Sequence, residues 1–130
     1  MTSSALAGSA RAAYTSNALT TASPARLLVM LWDRLVLDIT RGAAAIDTAE
    51  WDEARTNLLH AQDIVVELEV SLDVEAMPAG RQLASLYEYL RGRLVHANIH
   101  RDPAAAREAL KLASELAETW RQAAMTAAVQ

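Results

Sequence analysis

A chain of 130 residues, 52% hydrophobic and 22% charged, is too apolar to stay disordered and too often interrupted by charge for a ~20-residue membrane span. Its net charge of −4 excludes a nucleic-acid footprint, which needs clustered Lys and Arg. The absence of cysteine excludes disulfides, thiolate metal sites and cysteine nucleophiles, and suits a reducing compartment.

Residues 1–22 are small and polar with no sustained helical period, so a mobile segment is expected there, with Tyr14 as an aromatic anchor. It holds no apolar block of secretory-signal length, which places the protein in the cytoplasm. Ser23-Pro24 reads as a helix start: the hydroxyl caps orphan N–H groups, and proline at the first helical position loses no hydrogen bond. Leu27, Leu28, Leu31, Leu35 and Ile39 then recur at three- and four-residue steps, on one face, with Gly42 near the end of the helix.

Asp47 with Glu50 resembles a capping box opening a second helix that carries Leu58, Ala61, Val65, Leu68 and Leu72. A break is expected from Asp73 to Gly80, where Pro78 removes a backbone donor. A third helix carries Leu83, Leu86, Tyr87, Leu90 and Leu94. Asp102-Pro103 starts a fourth, with Ala106, Leu110, Ala113, Leu116 or Ala117, and Trp120. Short links favour antiparallel neighbours, so the expected fold is all-α: an up-down-up-down four-helix bundle over residues 23–125, preceded by the mobile segment and followed by a tail, 126–130.

Catalytic equipment is not readable. No serine sits on a strained turn or a Gly-rich loop beside a base, and the acidic residues are mostly flanked by Arg, as on a solvated face. His96 and His100 are spaced i, i+4, but no Glu or Asp completes a metal site at helical spacing, so solvated histidines are expected and no cofactor is called for. Trp32, Tyr87, Tyr89 and Trp120 are expected in the core or at its edge. Tyr87 and Tyr89 stand ~200° apart on a helix, so one of them faces outward.

The order of these features resembles the flagellar secretion chaperone FliS family. The resemblance is carried by Tyr14, Thr20-Thr21-Ala22-Ser23-Pro24, and Leu27-Leu28-Val29-Met30-Leu31-Trp32-Asp33, where the family usually has Tyr at Trp32. Glu67-Leu68, Ser71-Leu72-Asp73, Leu86-Tyr87-Glu88-Tyr89-Leu90, Arg93-Leu94, Ala97-Asn98, Asp102 and Trp120 continue it. Met77-Pro78-Ala79-Gly80 replaces the family's Gly-Gly, and Phe is absent.

The resemblance implies a non-enzymatic holdase. It would bind the disordered C-terminal segment of flagellin, block premature polymerisation and deliver the client to the membrane-bound export gate, with another flagellin regulator as a further partner. It also implies a binding site: Tyr14 and the run Leu19, Ser23 and Pro24 from the N-terminal segment; Leu27, Leu28 and Leu31 on helix one; Ile64 and Leu68 on helix two; Leu86, Tyr89, Leu90 and Asn98 on helix three. For the aliphatic members, plain core packing fits the same spacing. Two readings from the residues compete with it: a structural bundle that self-associates through its apolar stripes, and a helical metalloenzyme resting on His96 and His100.

Overall fold

The computed structural model describes residues 6–10 and 24–128. Four long helices form: α1 Pro24–Asp47, α2 Trp51–Ser71, α3 Gly80–His100 and α4 Pro103–Ala128. Their 24, 21, 21 and 26 residues correspond to lengths of roughly 30 to 40 Å at ~1.5 Å per residue. Each helix packs against the next and α4 returns to α1, which closes the up-down-up-down bundle expected from the short links. Among the described residues there is no strand. Residues 6–10 form a helical turn of their own, and α4 runs through Ala128, beyond Trp120 and beyond residue 125.

The core is the sum of the inward stripes: Trp32, Leu35 and Ile39 from α1, Leu58, Val65 and Leu68 from α2, Leu83, Tyr87, Leu90 and Leu94 from α3, and Ala109, Ala113, Leu116 and Trp120 from α4. Each seam between neighbouring helices also pairs a carboxylate with a basic side chain. Asp38 meets His60 across α1 and α2, Glu69 meets Arg91 across α2 and α3, Glu108 meets Arg93 across α3 and α4, and Asp33 meets Arg121 across α1 and α4. Where both partners are exposed, such pairs contribute at most ~1 kcal/mol each, so burial of the stripes sets the stability.

The turn between α1 and α2 differs from the sequence expectation. Asp47 is the last residue of α1 rather than a cap for α2, and Glu50 occupies the N-cap position without a side-chain cap bond. α1 stops because Ala49 takes the left-handed conformation at φ 57°, letting Glu50 N–H donate to Ala45 O at 2.8 Å and Ala49 N–H to Ile46 O at 3.1 Å. The same device ends α3: Arg101 sits at φ 51° and Asp102 N–H reaches Ala97 O at 3.1 Å. Neither residue is glycine, the usual signal for such a stop.

Asp102 does act as the cap read from Asp102-Pro103. Its Oδ1 accepts from Ala104 N–H at 3.0 Å and Ala105 N–H at 3.4 Å, and those bonds hold its carboxyl below the usual aspartate range. The break before α3 is a single 3₁₀ turn, Val74–Ala76. Gly80 is required there, since a Cβ would lie 2.0 Å from the Val74 carbonyl oxygen.

Candidate functional site

An open groove of about 680 Å³ lies at the end of the bundle where α1 begins and α2 ends. Pro24, Leu27, Leu28 and Leu31 form one wall, Leu68, Ser71 and Leu72 the other, Met77 closes one end, and Tyr87 and Trp120 supply ring surface from α3 and α4. Among the described residues, no Asp, Glu, Lys, Arg or His lines it. The Ser71 hydroxyl is spent within its own helix, donating to Leu68 O at 3.1 Å. The lining therefore offers apolar surface and little polar specificity, the chemistry of a slot for apolar anchors on an amphipathic segment.

The rings are held rigidly. Trp32 packs edge-on to Tyr87 with ring centroids 5.4 Å apart, and Trp120 Nε1 donates to the Tyr87 hydroxyl at 2.9 Å. Burial pushes the Tyr87 phenol well above the usual tyrosine range, with the Trp120 bond acting weakly the other way. Tyr89 is 50% exposed and Tyr87 only 2%, so of the two it is Tyr89 that faces outward, as their ~200° separation requires. The Tyr89 hydroxyl donates to Glu108, and that bond is the chief reason its own proton is held more tightly than usual.

The candidate residues read from the sequence part company. Pro24, Leu27, Leu28, Leu31 and Leu68 meet in the groove. Ile64 and Leu90 are closed inside the core. Leu86 lies in a second groove, between α3 and α4, with Leu112, Leu116 and Leu6 of the N-terminal turn. Tyr89 stands on the outer side of α3, and Asn98 is at the opposite end of the bundle beside Trp51 and Arg101. Tyr14, Leu19 and Ser23 fall outside the described residues.

Sequence reasoning missed Ser71, Leu72, Met77, Tyr87 and Trp120 as groove residues. Ser71 and Leu72 lie one turn beyond Leu68, as the last residue of α2 and its C-cap, a usable signal; no local pattern announces the other three. The N-terminal turn was also missed as a docked element: the Ser9 hydroxyl, buried, accepts Ala79 N–H at 2.7 Å.

His96 and His100 stack with ring centroids 4.4 Å apart, and His96 Nε2 reaches Asp102 Oδ2 at 3.2 Å, across the turn rather than at helical spacing. Among the described residues no group of three or more His, Cys, Asp or Glu side chains is arranged to hold a metal ion. No helix among them is long and apolar enough to cross a membrane.

Comparison with known proteins agrees with this picture. The family model described as flagellar protein FliS matches residues 7–127. The flagellar secretion chaperone FliS of Bacillus subtilis (strain 168) is 31% identical over 111 residues, covering 85% of this chain and 83% of the relative. Its namesake in Escherichia coli (strain K12) is 29% identical over 112 residues, 85% and 82% of the two chains. That of Salmonella typhimurium (strain LT2) is 30% identical over 116 residues, 88% and 86%. These relatives are named as chaperones, and the family model's residues 7–127 take in the groove and the four helices that build it. The chain belongs to the family of the flagellar protein FliS.

Proposed function

We infer that the chain is a chaperone of flagellar secretion, as its FliS relatives are named, and so has a flagellar protein as its partner. We propose that this partner is flagellin, that the bound part is its disordered C-terminal segment, and that binding occurs in the cytoplasm before the client passes to a membrane protein of the export gate. The observation that carries the reading is the groove between α1 and α2, whose lining among the described residues is apolar and free of charged side chains. An assembly segment that is amphipathic once ordered would place apolar anchors there and leave its polar face in water. Ordering the segment costs part of the binding energy, which keeps the complex reversible, as export requires.

The same reading gives the stretch between the N-terminal turn and α1 a role. Ser9 is anchored at Ala79 and α1 starts at the groove with Pro24; Tyr14, Leu19 and Ser23 lie in the chain between them.

Calorimetric titration of a flagellin C-terminal peptide tests the proposal. Binding tighter than about 10 µM is expected. Leu27→Ser, at a side chain 55% exposed, is expected to change the melt by less than ~0.5 kcal/mol while weakening the peptide about tenfold. Tyr14→Ala is expected to alter affinity with the melt unchanged. No heat and no complex at tenfold higher concentration would dismiss flagellin's C-terminus as the client.

A further inference from the structure

α1 carries a second apolar stripe that the core does not absorb and that the groove touches only at Leu27. Leu27, Met30, Arg34, Leu37, Arg41 and Ala44 follow one another at steps of three and four residues, and all six are exposed. Such spacing makes the seam of a coiled coil, here on the outward side of a helix whose inward side already packs in the bundle. Leu27, Met30 and Leu37 are 55%, 56% and 39% exposed, large fractions for side chains of this kind.

The charge along the seam has one sign. The acidic residues between Leu27 and Ala44 are Asp33 and Asp38. Asp38 is buried against His60 and Arg34, and Asp33 is turned to Arg121 on α4. In a chain of net charge −4, α1 thus presents a seam in which apolar side chains alternate with two arginines, Arg34 held by the buried Asp38 of its own helix and Arg41 in no ion pair among the described residues.

We propose that this seam docks an acidic amphipathic helix of a partner protein, with apolar side chains packing on Met30 and Leu37 and carboxylates seven residues apart facing Arg34 and Arg41. Charge complementarity selects that occupant over the alternatives. A second copy paired in parallel sets Arg34 against Arg34 and Arg41 against Arg41; paired antiparallel it offers Leu37 and Met30 to the arginines. Neither arrangement supplies a carboxylate. An anionic bilayer would be repelled by the net charge of the chain, and the cations interrupt the broad apolar face that an interfacial helix needs. The seam meets the groove at Leu27 but is a separate surface, and the proposal stands whether or not flagellin is the client.

The test uses the full chain and a labelled synthetic helical peptide of about 18 residues, the length of the seam, with Leu and Glu at the complementary seam positions. A control peptide carries Lys in place of Glu. The Glu peptide is expected to bind at least about tenfold more tightly than the Lys peptide. Arg41→Glu should reverse that order, and Leu37→Ser should weaken both, with affinity for the flagellin peptide and the melting temperature unchanged. Should Arg41→Glu melt early, Arg41→Gln is expected to bring the two peptides towards equal affinity.

Equal binding of both peptides to the unmodified protein, or no binding of either, overturns the proposal. Co-sedimentation with anionic vesicles that Arg41→Glu abolishes would overturn it in favour of a lipid surface. A concentration-dependent dimer lost on Leu37→Ser would overturn it in favour of a second copy.

Discussion

At the end of the bundle where α1 turns into α2 and α3 into α4, the inward positions are mostly small: Ala43, Ala45, Ala54, Ala97, Ala105 and Ala106 are buried there. Gly42 brings α1 so close to α2 that a Cβ would lie 2.8 Å from Leu58 Cδ2. At the other end the inward positions are mostly large, with Trp32, Leu68, Tyr87 and Trp120, and the outer leucines of α1 and α2 line an open groove. Both ends are written in the same amphipathic pattern. Residue size makes the difference: small side chains let helix axes approach, while indole and phenol rings hold them apart and leave leucines uncovered.

The contrast predicts that the rings at the groove end are structural although the exposed wall residue Leu27 is not. Trp32→Ala is expected to cost about 3–5 kcal/mol, the largest effect considered, read from the denaturation midpoint. If the protein instead tolerated this change as it should tolerate Leu27→Ser, the division between ring support and wall would be wrong.

Next come the glycines. Gly80→Ala drives a methyl into the Val74 backbone and is expected to cost about 2–3 kcal/mol, displacing the turn that brings Met77 to the groove. Gly42→Ala meets a leucine side chain, and is expected to cost ~1 kcal/mol after its gain in helix propensity. Gly92→Ala, where a Cβ meets nothing within 4 Å, is expected to stabilise by up to ~1 kcal/mol. A stabilising Gly42→Ala would show that Leu58 yields freely and that close approach of α1 to α2 does not hold the closed end.

The smallest effect concerns the cap at the closed end. The backbone donors of Ala105 and Ala104 lower the carboxyl of Asp102 in the folded state. Its contribution is therefore complete above the unfolded aspartate value near ~3.9 and is lost as pH falls through the lower folded value. Asp102→Asn is expected to flatten the acid limb of the stability profile and leave the neutral region almost unchanged. An acid limb identical in both proteins would remove Asp102 from the account.

The groove was half legible in the sequence. Pro24, Leu27, Leu28, Leu31 and Leu68 were named and do meet. Ile64 and Leu68, four residues apart on α2, were named on equal grounds, yet only Leu68 reaches the groove. Asp38 reads locally as the i+4 partner of Arg34 on a solvated face; its burial was not legible, because the partner that covers it, His60 of α2, lies 22 residues away. The stop of α1 was misread for a related reason: Ala49 and Glu50 complete it through backbone bonds that any residue type can make.

By itself, the sequence determined the helices, their order and their inward faces, because a 3.6-residue period and proline placement act within a single segment. With the resemblance running from Tyr14 to Trp120, it also determined the family. Tertiary structure alone decided how deep each inward residue lies and which end stays open. It also left the seam of α1 in water. Those outcomes depend on the volumes of side chains that meet from different helices, and no one helix carries that information.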